Sequence, residues 1–255
     1  MDANEPGQPP LSTRVTSHDL AVPASALAIG AHPDDVEFGC GATLAKWAAH
    51  GCTIHHLVLT DGSKGTWNPD ADIAALVAAR RAEQREAAAR LAGANAGDVV
   101  FLDQVDGELT SDLWLRGEVA RVIRTLRPEV VLGHDPWKRY RLHPDHRHAG
   151  HLACEGIVAA RDPHFFRDHG LAPHRPANLL LWEADEPDHV EDVTAFVATK
   201  LFALEAHESQ FESTMKAVVP AEMAAFRERV TARLAALGEP YGVGAAEVFK
   251  RISSL

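Results

Sequence analysis

The chain has 255 residues, 36 Asp and Glu against 25 Lys and Arg for a formal charge of −11, and 15 His beside 3 Cys. Single cores stop growing at roughly 250–300 residues, so this length suits one large α/β domain, and 46% hydrophobic with 24% charged residues excludes a collagen-like, coiled-coil or wholly disordered chain. The acidic balance argues against non-specific binding to nucleic acid or an anionic membrane, since both need clustered Lys and Arg.

In chain order, residues 1–22 are rich in Pro, Ser, Asp and Gly without periodicity and read as a flexible arm ahead of one domain over 23–255. SALAIGA (25–31) reads as a short buried strand, and GATLAKWAAHG (41–51) as a helix closed by Gly51. Further strands are expected at 53–60, 99–103, 130–134 and 178–183. The Ala-rich stretch 73–92, with four Arg, is a good helix former, and Leu115, Val119, Val122, Ile123 and Leu126 form the stripe of an amphipathic helix. Two helices, 191–207 and 220–237, and a last short segment complete the chain as a C-terminal helical extension. Alternating strand and helix predicts a Rossmann-like, mostly parallel sheet covered on both faces. In such sheets ligands sit beyond the carboxyl ends of the strands, which directs attention to 32–41, 61–72, 103–110 and 134–148.

Cys40, Cys52 and Cys154 are odd in number and lie far apart, which indicates neither a disulfide framework nor a cysteine zinc site and fits a reducing compartment. The first residues lack the basic and apolar regions of a signal peptide, and no apolar run approaches the 18 or more residues of a membrane span. A cytoplasmic protein is expected.

The first loop beyond a strand, AHPDDVEFGCGAT, places His32, Asp34, Asp35 and Glu37 at one strand end. Asp34 and Glu37 have the spacing of a capping box, which accounts for one Asp and one Glu but leaves His32 and the other Asp without a role. A metal would use an imidazole and a carboxylate together. Gly39 and Gly41 do not make a dinucleotide loop, because G-x-G-x-x-G is missing and three carboxylates would repel a pyrophosphate.

The second cluster, HDPWKRYRLHPDHRHAGH, holds His134, His143, His146, His148 and His151 just beyond the fourth strand. Pro144 fits the first position of a helix, which makes His143 its cap and places His146 on the first turn. H-P-D-H repeats the chemistry of H-P-D-D at a neighbouring strand end. One His and one Asp from the first loop with one His from the second would form a three-ligand metal site with positions left for water and substrate. His148 and His151 read as surface or core histidines.

These residues resemble the PIG-L/LmbE-like zinc-dependent N-acetylglucosaminyl deacetylases and amidases. AHPDDVEFGCGAT is similar to the A-H-P-D-D-x-E signature of that family and HPDH to its second signature. TDGSKG (60–65), with Ser63 where Glu is usual, RRAEQREAAARL (80–91), FLDQVDGEL (101–109), RPEVVLGHDP (127–136) and KLFALEAHESQF (200–211) are similar to further family segments in the same order. The resemblance spans roughly 25–215. It implies that His32, Asp35 and His146 bind Zn²⁺ or another divalent metal such as Fe²⁺, that Asp34 is the general base, and that His143 is the acid and oxyanion partner, oriented by Asp145. Bound Zn²⁺ can lower the pKa of a water to about 7, where a neighbouring carboxylate can take its proton.

Among the neighbours, Asp106 sits in a polar turn and reads either as a plain turn residue or, as the resemblance implies, as a residue with a role near the active-site His or the sugar. Arg80 or Arg81, with Arg81 the named candidate, reads either as a clamp for a sugar hydroxyl or acidic aglycone or, the favoured reading in a helix with four Arg, as an exposed salt-bridge partner. Glu37 and His207 complete the substrate-binding candidates, Glu37 also serving as support to the metal ligands. Trp67, Trp137 and Tyr140 have aromatic faces that suit a sugar ring or lid packing. Tyr140 lies one place further from His143 than the tyrosine some family members use.

The expected activity is hydrolysis of the amide of an N-acetylglucosamine-type conjugate, a small-molecule substrate, with homo-oligomerisation left open. The alternatives are an amidase for another N-acyl substrate in thiol-conjugate or natural-product metabolism, a non-haem Fe(II) oxygenase using His32, Asp34 and His146, and a metal- or nucleotide-binding module without catalysis.

Overall fold

The computed structural model describes residues 17–253 and Leu255. Eight strands form one sheet: β1 (Ser17–His18), β2 (Ser25–Gly30), β3 (Thr53–Thr60), β4 (Ala96–Gln104), β5 (Val130–His134), β6 (Asn178–Trp182), β7 (His189–Asp192) and β8 (Ala246–Ile252). Among the described residues six α-helices accompany them: α1 (Asp35–Ala49), α2 (Ile73–Ala92), α3 (Leu113–Leu126), α4 (Pro144–Arg161), α5 (Val197–Leu204) and α6 (Pro220–Gly238). The sheet order is β1-β7-β8-β6-β5-β2-β3-β4. Every pairing is parallel except the two made by β8, which runs antiparallel to β6 and β7.

The alternation of side chains along each strand sends two hydrophobic sets to opposite faces. Leu27, Ile29 and Val131 join the core under α3 and α4, whereas Ala26, Ala28, Val130 and Leu132 join the core under α1. With both faces covered, the central strands read as continuous apolar runs, which is why they were legible. The helix starts are also local: Asp72 accepts the amide of Ala75 at 3.0 Å and Asp112 that of Leu115 at 2.9 Å, while Pro144 opens α4.

Three expectations change. Residues 1–16 of the expected arm lie outside the described residues, and Ser17–His18, also assigned to the arm, pair with His189–Val190 as an edge strand. The helix expected over 191–207 is divided, because 189–192 is spent on β7 and the helix proper starts at Val197. The C-terminal extension carries α6 as expected, but the last segment returns into the sheet as β8. Of the three missed strands, β1 and β7 are short, and both β7 (HVED) and β8 (AEVFKRI) interrupt their apolar residues with charged ones, so none shows the apolar run of the central strands.

After β2 the chain moves to β3 and β4 on one side, and later to β5 and β6 on the other. The β2–β5 boundary is therefore the point where connections diverge and leave a crevice at the carboxyl edge.

Candidate metal centre and active-site cleft

The two histidine loops leave β2 and β5 side by side at that crevice. His32 follows β2, and Asp34 caps α1. His134 is the last residue of β5, and His143 caps α4 with Pro144 at its first position. A Cβ at Gly150 would lie 2.5 Å from the His134 carbonyl oxygen, so only glycine there lets α4 sit close enough to carry His146 over the crevice.

His32, Asp35 and His146 present ligand atoms within 4.8 Å of one another. Asp35 is the hub. Its Oδ2 accepts the backbone amide of His32 at 2.7 Å and lies 3.3 Å from His32 Nδ1 and 3.2 Å from His134 Nε2, while its Oδ1 lies 3.3 Å from His146 Nε2. Burial would raise the Asp35 carboxyl, but His146 and His134 outweigh it and hold it well below its ordinary value. His32 is 7% exposed, and its Nε2 lies 3.1 Å from Asp106 and 3.2 Å from Asp145. Burial there is outweighed by Asp106, Asp145 and Asp35, which raise the His32 pKa well above its usual value. Two imidazoles and one carboxylate, ringed by Asp34, Asp106 and Asp145, fit a divalent cation of the zinc type.

Asp34 stands apart from this hub. Its backbone φ is 98°, a left-handed conformation that costs a non-glycine residue of order 1–3 kcal/mol and persists only under restraint. The restraint is visible: its amide donates to Gln84 Oε1 at 2.9 Å, and Arg80 donates to Pro33 O at 2.7 Å and Gly62 O at 2.8 Å. The side chain makes no capping bond and lies 3.4 Å from Arg80 Nη2, so the capping box is not formed. Burial pushes the Asp34 carboxyl up to about 6, with Arg80 pulling the other way. The carboxylate meeting His146 is Asp35, so the His32, Asp34, His146 triad of the oxygenase reading is not assembled.

Several candidates stand elsewhere than expected. Asp145 makes no hydrogen bond to His143, although a carboxylate oxygen lies within 4.8 Å of a ring nitrogen. It is fully buried, faces His32, and accepts the amides of Gly107 at 2.6 Å and Leu109 at 3.3 Å. His143 lies at the exposed mouth, its ring 4.7 Å from that of His32, and burial followed by the neighbouring His32 and His146 lowers its pKa. Arg81 is off the site, paired with Asp103 at 2.6 Å and stacked over Phe101, while the buried Arg80 lines the cleft. Glu37 and His207 are both 0% exposed and cannot touch substrate. They face each other at 3.2 Å, and Gln84 Nε2 donates to Glu37 at 2.8 Å, so the two form a buried brace under the Asp34 turn. Asp106 lines the cleft, as does Trp67, whereas Tyr140 is 88% exposed and outside it.

Sequence reasoning found no role for His134, Gln84 or Trp182. The position of His134 as the last residue of a strand at the crevice was a usable signal; Gln84 and Trp182 act through contacts 47 or more residues apart and left none.

The cleft has a volume of about 840 Å³, with His32, Asp34, Asp35, His143 and His146 in one part and α6 and β8 walling another. Among the described residues no helix is long and apolar enough to cross a membrane.

Residues 27–157 match the family model described as PIG-L, GlcNAc-PI de-N-acetylase. The chain is 38% identical over 188 residues to a diacetylchitobiose deacetylase of Thermococcus kodakarensis, covering 72% of this chain and 69% of that protein. It is 29% identical over 199 residues to a 4-oxalmesaconate hydratase of Pseudomonas putida, covering 73% and 74%. The N,N'-diacetylchitobiose deacetylase from Pyrococcus horikoshii, solved with an inhibitor, superposes with a TM-score of 0.81 at 28% identity, over 91% of this chain and 84% of that one.

Proposed function

The chain belongs to the PIG-L, GlcNAc-PI de-N-acetylase family, and from that membership we propose that it is a metal-dependent N-deacetylase, a hydrolase of a non-peptide carbon–nitrogen bond. The observation that carries the reading is the His32, Asp35, His146 set within 4.8 Å with Asp34 held beside it in an open cleft. The substrate is a small N-acetylated amino sugar or its conjugate, in keeping with the two diacetylchitobiose deacetylases. Zinc is the metal that best suits two imidazoles and a carboxylate.

A divalent cation bound there supplies a water of lowered pKa and polarisation of the amide carbonyl. Asp34 takes the proton of the attacking water, a role suited to a carboxyl that burial raises toward neutral pH. Its strained backbone keeps the carboxylate beside the ligands without making it one. His143, at the cleft mouth, donates a hydrogen bond to the oxyanion of the tetrahedral intermediate, and as the carbon–nitrogen bond breaks the proton taken by Asp34 is relayed through His143 to the departing amine. Asp145 and Asp106 hold His32, and Asp106 also borders the space for a sugar hydroxyl. Three free, dispersed cysteines support a reducing compartment such as the cytoplasm.

The test is acetate release by metal-assayed protein across a panel of N-acetylglucosamine conjugates. Release from at least one, abolished by a chelator and restored by zinc, is expected. A zinc-loaded protein that releases acetate from none overturns the reading.

A further inference from the structure

Helix α1 is not continuous. Cys40 leaves helical dihedrals (φ −146°, ψ 17°), which separates the single turn carrying Asp35 and Glu37 from the rest of the helix. In an unbroken helix the amide of Ala42 would donate to the carbonyl of Phe38, and that of Thr43 to Gly39. Here the Ala42 amide donates to Glu247 Oε1 at 3.1 Å and the Thr43 amide to Glu247 Oε2 at 2.8 Å. The Phe38 carbonyl accepts from Lys200 Nζ at 2.7 Å, and Lys200 closes the circuit on Glu247 Oε1 at 2.6 Å. The bond lost between Phe38 and Ala42 is thus replaced by a lysine–glutamate pair inserted into the break. Both side chains are 3% exposed, and they come from α5 and β8, more than 150 residues away in sequence.

A buried ion pair is an expensive way to hold a helix together, since desolvation offsets much of its attraction unless further hydrogen bonds satisfy it. These charges are so satisfied, and what they hold is specific: the carboxylate sits on the amides that begin the second half of α1, where helix-end polarity favours a negative charge, and the ammonium sits on a carbonyl that ends the first. The break also lies beside Gly39, which packs face-on against Trp182, and Trp182 bonds to His134 next to Asp35. The angle of the Asp34–Glu37 turn against the sheet therefore depends on the break.

We propose that Lys200 and Glu247 are positioning residues for the reaction, a splint in the broken α1 that sets the Asp34–Asp35 turn. The inference rests on the deacetylase reading only for its kinetic arm. In Glu247→Gln and Lys200→Met, kcat is expected to fall roughly ten- to hundredfold while KM stays within about twofold, because a misplaced catalytic group costs rate rather than substrate binding. Lys200→Arg, which keeps the cation, should recover most of the rate. In protein prepared without metal, amide exchange should rise over residues 35–43 in the two disruptive variants and not across β2, β3 and β5. Wild-type kcat in either folded variant, or exchange that rises evenly over the sheet, overturns the proposal. Failure of both variants to fold assigns the pair to stability alone and also overturns it. If the wild-type protein releases acetate from no sugar, the deacetylase reading fails, and the exchange measurement still decides the splint.

Discussion

Trp182 donates its indole N–H to Nδ1 of His134 at 3.0 Å, Arg141 Nη1 lies 3.3 Å from the same nitrogen, and these two donor-only groups decide the tautomer of the histidine. Indole is a donor only, so Nδ1 must accept and the proton of neutral His134 sits on Nε2, which faces Asp35 Oδ2 at 3.2 Å. Burial pushes the His134 pKa down to about 4, which keeps the ring neutral at ordinary pH. His134 therefore holds the carboxylate rather than competing with it for a metal. Trp182→Phe keeps the ring packing and removes the closer of the two donors, leaving Arg141 at 3.3 Å; zinc affinity, read by competition with a chelating dye, should weaken roughly tenfold. An unchanged affinity would show that the tautomer is set some other way.

Gly39 lies under the same indole. A Cβ there would stand 2.6 Å from two ring atoms of Trp182. Gly39→Ala should destabilise the fold by about 1–3 kcal/mol through overpacking and displace the indole from His134. Urea unfolding together with the zinc titration checks both, and wild-type values in the two measurements would contradict the packing argument.

Asp34→Asn preserves shape but cannot accept a proton. Zinc content should stay at the wild-type level while kcat falls about 10²–10⁴-fold, the usual worth of a general base. Full activity in the zinc-loaded variant removes Asp34 from that role.

Arg80 and Arg81 are neighbours in sequence and separate in function. Arg80 is buried and ties Pro33 and Gly62 to α2, while Arg81 makes a surface pair. Arg80→Ala should lower kcat/KM at least tenfold and cost stability, since it unpins the strained Asp34 turn. Arg81→Ala should change kcat/KM less than about twofold, because exposed ion pairs contribute little. Equal effects would refute the distinction.

The buried Glu37–His207 pair predicts a pH signature in stability. Burial alone would raise the Glu37 carboxyl, yet the hydrogen bond to His207 and the His56 ring 3.5 Å away bring it from its ordinary 4.5 down to about 2. A depressed carboxyl contributes stability that is fully present above pH 4.5 and is lost as pH falls through about 2. The His207 pKa is raised above its ordinary 6.5, with burial opposing and Glu37 prevailing, so its contribution is fully present below that value and lost as pH rises past the raised one. The stability deficit of metal-free Glu37→Gln against wild type should be largest between about pH 4.5 and 6.5 and shrink toward pH 2. A deficit independent of pH over that range would mean that the pair contributes by packing alone.

What the sequence determined by itself is local in origin. Apolar runs marked the five strands β2 to β6, caps and Pro144 marked helix starts, and H-P-D-D and H-P-D-H each fell just past a strand end, where any doubly wound sheet binds ligands. His32, Asp35 and His146 could be grouped because loops leaving one edge of one sheet must converge.

The tertiary structure decided everything that depends on rotation or on distant partners. Residues 73–92 have no apolar stripe to orient them, so choosing Arg80 over Arg81, about 100° apart on a helix, required the packed structure. Asp145 turned to His32 because the Gly107 and Leu109 amides wait there, and Glu247 reached α1 only after β8 had joined the sheet. Such contacts join a backbone amide to a side chain 36 to 205 residues away and leave no periodic trace, since a single long-range hydrogen bond constrains two residues and no pattern between them.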